Sequence, residues 1–206
     1  MNQDRRSHWE KVYEEKRFDD VSWYQDLPAT SLEMIAGAVL ERNDPIIDIG
    51  AGASTLVDHL IELGYTDLTV LDISAQALAQ ASERLGASAQ HVAWTVADIT
   101  RFEPPRRYRL WHDRAVLHFL VDAGDRERYV EALQRALAPD GYLVLATFGP
   151  EGPLQCSGLD VRRYSVEMMA ELLGPDFELE QEMLEFHETP SGGSQQFLFS
   201  RWQRAA

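Results

Sequence analysis

The chain is poor in cysteine and lacks long apolar runs. Its 206 residues include one cysteine, Cys156, so no internal disulfide can form, which is typical of proteins from reducing compartments. No stretch approaches the ~18–20 apolar residues of a membrane span, and the charged N-terminus lacks the apolar core of a signal peptide. Cysteine and histidine do not recur at zinc-binding spacing, so no metal site is expected. These absences predict a cytoplasmic protein with no membrane partner.

Positive charge is also scarce. The chain has 34 acidic residues against 19 lysines and arginines, and no basic stripe offsets its formal net charge of −15. Such a surface repels phosphate backbones, so nucleic acid is not an expected partner. With 45% hydrophobic residues the chain can bury a sizeable core. Its length suits a single domain spanning residues 1–206, which we expect to be a monomer or a homodimer.

Strand-like and helical patterns alternate from Asp44 onwards. Apolar runs predict strands at residues 46–49, 68–71, 91–96, 109–112 and 142–147. Helical spacing predicts helices at 55–63, 75–85, 126–138 and 166–173. Two final strands, at 177–186 and 195–202, have no helix between them and should pair as an antiparallel hairpin. The pattern predicts an α/β fold: a Rossmann-like, doubly wound, seven-stranded sheet that is mostly parallel, with a C-terminal antiparallel hairpin.

The motif DIGAGAS, residues 48–54, joins the first strand to the next helix. It therefore lies at the carboxyl end of that strand, where open α/β sheets bind ligands. Gly50 and Gly52 allow a sharp turn and the close approach of a ligand, and the following helix directs its N-terminus at the same place. One G-x-G pair is weak evidence by itself, but its position predicts a binding loop.

Two further aspartates end the next two strands. The Asp72 carboxylate can accept both hydroxyls of a ribose, and Asp98 can accept from an exocyclic amine. Ile73 and Ile99, the residues that follow them, offer apolar faces to a flat base. Either aspartate alone fits a helix or turn cap equally well. Together with Asp48, however, three strand-end acids in register favour a nucleoside cofactor.

From about Asp44 to Trp202 this register resembles the class I S-adenosylmethionine-dependent methyltransferases. The resemblance implies S-adenosyl-L-methionine as cofactor, with its ribose on Asp72 and its adenine amine on Asp98. It also implies that the methionine part lies on the strand-one acid and the glycine loop, which are Asp48, Gly50, Ala51 and Gly52. The sequence departs from the family at Ser54, where the third glycine usually stands.

Two other protein classes fit part of the pattern. Nicotinamide dinucleotide enzymes carry G-x-G-x-x-G, but the third position counted from Gly50 is Thr55, and their fold usually ends in another parallel strand. A non-catalytic scaffold with a methyltransferase fold is the other alternative. The intact cofactor acids argue against it.

The stretch LWHDRAVLHFLVD, residues 110–122, follows the fourth strand, where methyl-acceptor residues are expected. Its LHFL segment resembles trans-aconitate methyltransferase-type enzymes, with Arg114 in place of the usual asparagine, while DRAVLHFL also resembles thiopurine-type enzymes and some protein-lysine methyltransferases. The charge and the LHFL segment favour a small-molecule acceptor, with a protein lysine as the alternative. Three residues are catalytic candidates. His118 can accept a proton or pack under the cofactor, while Arg114 can bind a substrate carboxylate or pair with Asp113.

Residues 1–43 precede the sheet and are predicted to form an N-terminal helical cap or lid, with helices at 5–17 and 31–41. Tyr13 and Trp23 can fold over the cofactor, because aromatic faces attract a sulfonium by ~0.5–2 kcal/mol. Trp9 is expected instead to anchor its helix to the core. Since residues 1–27 are rich in charge and poor in aliphatic side chains, we expect them to be loose until the cofactor binds.

Overall fold

A computed structural model describes residues 2–190 and 192–206 of the chain. Its helices are α1 (Asn2–Glu15), α2 (Ala29–Ala36), α3 (Leu56–Glu62), α4 (Ala75–Leu85), α5 (Ala123–Ala136) and α6 (Val166–Leu173). Its strands are β1 (Ile46–Ile49), β2 (Leu68–Asp72), β3 (Val92–Val96), β4 (Tyr108–Arg114), β5 (Leu137–Phe148), β6 (Gln155–Cys156), β7 (Leu159–Asp160), β8 (Phe177–Glu188) and β9 (Ser194–Arg204). Within these described ranges, no helix is long and apolar enough to cross a membrane.

Seven strands form one sheet in the order β3-β2-β1-β4-β5-β9-β8, and β6 and β7 form a separate small hairpin. The strands from β1 to β5 pair in parallel, whereas β9 runs antiparallel to both β5 and β8. The predicted seven-stranded Rossmann-like fold with its C-terminal hairpin is therefore confirmed. The pairing follows from the connections, because helical crossovers join most of the parallel strands while a turn alone joins β8 to β9.

The sheet is covered by helices on both faces. On one face Ile47, Trp111 and Leu143 pack in the same core as α5 and α6, and on the other Ile46 and Val144 pack with α2 and α3. All of β1 is buried, as expected for a central parallel strand. The two helix layers leave the carboxyl ends of the parallel strands uncovered, so that this edge is open to the N-terminal segment.

Most element boundaries differ from the sequence expectation by a few residues, and the two largest differences are at the end of α2 and the start of β5. The helix predicted at residues 31–41 ends at Ala36, and no side chain caps its start. Arg201 from β9 donates to the Met34 carbonyl at 3.1 Å, which satisfies one of the last carbonyls of α2. The Arg201 side chain also packs against Gly37, where a Cβ atom would lie 1.8 Å from its Nη1. The predicted strand at 142–147 also begins earlier, at Leu137, directly after α5.

A carboxylate of helix α1 binds the N-terminus of α4. Glu10 accepts from the Ser74 hydroxyl at 2.7 Å and from the backbone N–H groups of Ala75 and Gln76 at 2.9 and 3.1 Å. Burial opposes the ionisation of Glu10, but these hydrogen bonds outweigh it and lower its pKa below the ordinary value. A side chain of α1 thus caps the N-terminus of α4, which holds α1 beside the open edge of the sheet.

Candidate active site

A cleft lies at the carboxyl edge of the sheet, beneath the N-terminal segment. It is bordered by the turns after the parallel strands and by side chains of β5 and β9. An adjoining pocket shares Tyr13, Trp23, Gly50 and Arg114 with the cleft and also contains Asp48, Ala51 and His112. The structure brings the predicted site residues to these two cavities, except Gly52 and Asp113.

The cleft has two chemically different sides. We define the acid half of the cleft as Asp72, Ile73, Asp98 and Ile99, at the ends of β2 and β3. We define the arginine half as Arg114, His118, Phe148, Cys156, Gln195 and Phe197, contributed by β4 and the turn after it and by β5, β6 and β9.

The two loop glycines are required by backbone conformation and by close packing. Their φ angles are 58° at Gly50 and 56° at Gly52, in the left-handed region that side chains rarely adopt. A Cβ atom would lie 1.9 Å from Val116 at the first position and 2.1 Å from the Tyr13 hydroxyl at the second. Gly52 lies outside the cleft lining because Tyr13 covers it, which the sequence pattern did not indicate.

Asp72 is buried, and both of its oxygens accept backbone N–H groups. Oδ2 accepts from Gly52 and Oδ1 from Ser74, both at 2.8 Å. Burial raises the pKa of Asp72 to about 6, and the two hydrogen bonds limit the rise. Each oxygen retains a further lone pair, so this carboxylate can tie the glycine loop to β2 and still accept ribose hydroxyls. The two alternatives for Asp72, turn cap and ribose acceptor, are therefore compatible.

Asp98 has one occupied and one free oxygen. Oδ1 accepts from the N–H and the hydroxyl of Thr100 at 2.9 and 2.7 Å. Oδ2 is buried without a hydrogen-bond partner in the described part of the chain, and Nη1 of Arg5 lies 3.7 Å away. A buried carboxylate oxygen that receives no hydrogen bond is costly, so Oδ2 is suited to accept from a ligand amine. Ile73 and Ile99 border the same cleft.

A buried hydrogen-bonded chain connects Asp48 to His112 and Ser31. Asp48 in β1 lies beside His112 in β4, with Oδ1 of the aspartate 2.6 Å from Nδ1 of the histidine. Nε2 of His112 lies 2.9 Å from the Ser31 hydroxyl in α2. Asp48 is thus held in place from both a neighbouring strand and a helix. Sequence reasoning missed His112, although a polar residue within an apolar central strand was an available signal.

Asp113, a predicted catalytic candidate, lies outside the linings of both cavities. Side chains alternate along β4, so Asp113 and Arg114 point to opposite faces of the sheet and do not pair. Oδ1 of Asp113 accepts from the Val116 N–H at 2.8 Å, and Oδ2 accepts from the Leu117 N–H at 3.2 Å and the Tyr129 hydroxyl at 2.7 Å. Asp113 is fully buried and stabilises the turn after β4.

Arg114 is a partly buried cation whose hydrogen-bonding groups are only partly satisfied. Nη1 donates to the Trp23 carbonyl at 2.9 Å, whereas Nε and Nη2 have no hydrogen-bond partner among the described residues. The guanidinium carbon lies 4.8 Å from the centre of the Phe197 ring, a cation–π distance. Burial lowers the pKa of Arg114 to about 10, so the side chain still carries its charge at neutral pH.

His118 lines the cleft, and one of its two ring nitrogens is already hydrogen-bonded. Its Nδ1 accepts the backbone N–H of Phe148 at 3.2 Å, so the neutral ring carries its proton on Nε2. That Nε2 has no hydrogen-bond partner in residues 2–190 and 192–206. Burial, followed by the charge of Arg114, lowers the pKa of His118 to about 3. The expectation that His118 accepts a proton near neutral pH is therefore not supported, because burial keeps the ring neutral and Nδ1 is occupied.

The rest of the arginine half is mostly apolar. Phe148 and Phe197 provide its aromatic surface, and Oε1 of Gln195 is buried without a hydrogen-bond partner among the described residues. Cys156 lies in β6, within the long connection between β5 and α6. Burial raises the pKa of its thiol to about 11, so Cys156 stays protonated at neutral pH.

Aromatic side chains of the N-terminal segment cover the cleft. Trp23 contacts Tyr13 and Trp9 edge-on, with ring centres 6.4 and 5.7 Å apart, and Trp9 contacts Phe119 at 5.0 Å. Burial and the nearby Asp72 raise the pKa of Tyr13, which keeps its hydroxyl neutral. Trp9 therefore borders the cleft, whereas the sequence favoured a purely anchoring role. That the segment closes over a bound cofactor stays a prediction.

The strand order and the glycine loop with its strand-end acids define the fold of the class I S-adenosylmethionine-dependent methyltransferases. Residues 47–143 match a family model described as "Methyltransferase domain". Residues 47–143 of this chain are therefore similar to methyltransferase domains. The cofactor of enzymes with this class I fold is S-adenosyl-L-methionine.

Solved structures with the same fold cover nearly the whole chain. The N-methyltransferase NodS from Bradyrhizobium japonicum WM9, in complex with S-adenosyl-L-homocysteine, is 18% identical with a TM-score of 0.70, and the match covers 97% of this chain and 100% of NodS. The 1,6-didemethyltoxoflavin-N1-methyltransferase of Burkholderia thailandensis, with bound 1,6-didemethyltoxoflavin and S-adenosylhomocysteine, is 19% identical with a TM-score of 0.74, covering 98% of this chain and 87% of that enzyme. At such identities the likeness concerns the fold.

Curated relatives in sequence are much longer proteins. The eEF1A lysine and N-terminal methyltransferase of Mus musculus is 26% identical over 137 residues, which are 65% of this chain and 19% of that protein. Its Homo sapiens counterpart is 24% identical over the same coverage. The matched part of the chain thus spans about a fifth of the length of these relatives.

Proposed function

We propose that this chain transfers the methyl group of S-adenosyl-L-methionine to a small-molecule acceptor. The observation that carries the proposal is the division of one covered cleft into an acid half and an arginine half. The acid half offers carboxylate oxygens and apolar surface, which suit a nucleoside. The arginine half offers donors and aromatic surface beneath Trp9 and Trp23, which suit a small planar or apolar acceptor that also carries oxygen atoms.

Residues of the acid half and the glycine loop would hold the cofactor. Asp72 would accept its ribose hydroxyls and Oδ2 of Asp98 its adenine amine, while Asp48 would bind the methionine ammonium beside the glycine loop. Tyr13 and Trp23 would face the sulfonium, since aromatic faces attract such cations by ~0.5–2 kcal/mol. When bound, the cofactor supplies a methyl group made electrophilic by the positive charge on its sulfur.

The protein itself contributes alignment and exclusion of water. Arg114 and His118 would position the acceptor from the opposite half of the cleft, and the N-terminal aromatics would close the site to solvent. Alignment of two reactants in one site can contribute ~7–11 kcal/mol of the barrier reduction. We therefore expect positioning, rather than proton transfer by a side chain, to be the main source of rate enhancement.

The curated relatives favour a second candidate, methyl transfer to a protein lysine. Their names state lysine and N-terminal methylation. Two features of the cleft argue against an amine on a protein. Arg114 is a partly buried cation, which would repel an approaching ammonium. The aromatic cover formed by Trp9 and Trp23 narrows the access that a tethered lysine needs.

One labelling experiment decides between the candidates. The full chain is incubated with methyl-labelled cofactor and a cell lysate, which is then separated into protein and small-molecule fractions. We expect the label in the small molecules, whereas label confined to protein would favour the lysine candidate. If neither fraction is labelled and calorimetry detects no binding of S-adenosylhomocysteine, the chain is a non-catalytic scaffold and the proposal is wrong.

A further inference from the structure

The arginine half contains buried donors that the protein leaves unsatisfied. Nε and Nη2 of Arg114 and Nε2 of His118 lack hydrogen-bond partners in the described part of the chain. Nε and Nη2 form one edge of the guanidinium, where two parallel N–H groups match the two oxygens of a carboxylate. Leaving such donors buried and unpaired is costly, so this edge is suited to a ligand with a carboxylate.

The same half offers no base for the acceptor. His118 accepts the Phe148 N–H through Nδ1, so its remaining nitrogen can only donate. Cys156 is a protonated thiol, and Asp113 is used by the turn after β4 and lies outside the cleft lining. Among the described residues of the arginine half, none is ready to remove a proton near neutral pH. An acceptor atom that is already anionic does not need one.

Resting on the function proposed above, we propose that the acceptor is a carboxylic acid and that the methyl group is transferred to its carboxylate oxygen. The carboxylate oxygen forms a new bond to the methyl carbon while the carbon–sulfur bond breaks, and that electron pair remains on sulfur. The sulfonium and the carboxylate lose their opposite charges together, giving a neutral methyl ester and neutral thioether without any proton transfer. The apolar surface of Phe148 and Phe197 favours this loss of charge because it excludes water from the anion.

Arg114 has a competing use that must be separated from this one. It also borders the pocket that contains Asp48, so its free edge could instead bind the carboxylate of the methionine part of the cofactor. The two uses differ in one measurable respect. Binding of S-adenosylhomocysteine depends on Arg114 only if the arginine holds the cofactor.

The product chemistry tests the inference directly. The full chain is incubated with methyl-labelled cofactor and a deproteinised extract of the cells that naturally contain it, and the labelled small molecules are treated with alkali. A methyl ester releases its label as volatile methanol, which we expect for most of the transferred label. Small-molecule label that resists alkali would overturn the inference and leave the proposed function standing. Absence of any small-molecule label would overturn both.

Variants of Arg114 assign the carboxylate to its site. Arg114→Met should lower ester formation about tenfold or more, and Arg114→Lys, which keeps the charge but loses the paired donors, should also be impaired. Arg107→Met removes an exposed arginine at the opposite end of β4 and should leave ester formation unchanged. Affinity for S-adenosylhomocysteine, measured by calorimetry, should stay within about twofold in all three variants. If it falls in parallel with ester formation, Arg114 binds the cofactor and the inference is refuted.

Discussion

Replacing Asp72 by alanine is the most direct test of the cofactor site. The carboxylate is buried, it has lone pairs left after binding Gly52 and Ser74, and it would accept the ribose hydroxyls. A hydrogen bond to a charged group contributes ~1.5–3 kcal/mol, so S-adenosylhomocysteine should bind roughly 10- to 150-fold more weakly to Asp72→Ala. Calorimetry measures this change, and Asp176→Ala, an exposed aspartate at the start of the β8 region, provides the matched control.

The pH dependence of cofactor affinity tests the same role of Asp72 without a mutation. The pKa of Asp72 is about 6 in the free protein because burial disfavours its charge. Ribose hydroxyls donate hydrogen bonds to the charged form of Asp72, so ligand binding lowers this pKa. The affinity for S-adenosylhomocysteine should therefore be constant well above pH 6 and fall as the pH drops below about 6. The raised pKa of Asp72 also affects folding stability. Because folding raises this pKa, the free energy of unfolding falls as the pH rises from the pKa of the unfolded chain to that of the folded protein.

Loss of the carboxylate also removes the acceptor for the Gly52 and Ser74 N–H groups, which can disturb the loop. A comparison of S-adenosylhomocysteine with its 2′-deoxy analogue separates the two effects. The wild-type chain should prefer the hydroxylated ligand, and Asp72→Ala should lose that preference. An unchanged affinity in Asp72→Ala, or an equal preference in both proteins, would refute the ribose assignment.

Three further predictions concern the lid, the turn after β4 and the histidine. Adding S-adenosylhomocysteine should slow hydrogen exchange in residues 2–27 more than in the sheet, and equal exchange with and without ligand would show that the segment is fixed. Glu10→Ala should speed exchange in α1 by roughly 5- to 30-fold, because it removes hydrogen bonds of ~1–2 kcal/mol. Asp113→Ala should lower the free energy of unfolding by ~3–5 kcal/mol in chemical denaturation, because two buried donors and one partly buried donor lose their acceptor. A loss below ~1 kcal/mol would contradict this role. The pKa of His118 is about 3, so the pH profile of kcat should show no titration of this histidine near pH 6.5. If a titration near pH 6.5 is present in the wild type and absent in His118→Asn, the histidine acts as a base.

Sequence patterns predicted the fold class and the placement of Asp72 and Asp98 at one edge of the sheet. Strand and helix patterns alternate locally, and the missing helix before the last strand requires a hairpin, so the fold class could be predicted without tertiary contacts. The strand order came from the tertiary structure. The shared location of Asp72 and Asp98 could also be predicted, because the carboxyl ends of parallel strands lie at one edge of the sheet. The family match at residues 47–143 and the solved folds agree with that derivation.

The role of each polar side chain depends on contacts that only the tertiary structure shows. Whether His118 is a base depends on the Phe148 N–H that occupies its Nδ1, and whether Glu10 is a surface acid or the cap of α4 depends on how α1 docks. The chain from Asp48 through His112 to Ser31 likewise joins residues distant in sequence. Protonation and hydrogen bonding are set by the groups that surround a side chain in three dimensions, and local sequence patterns carry no record of those neighbours.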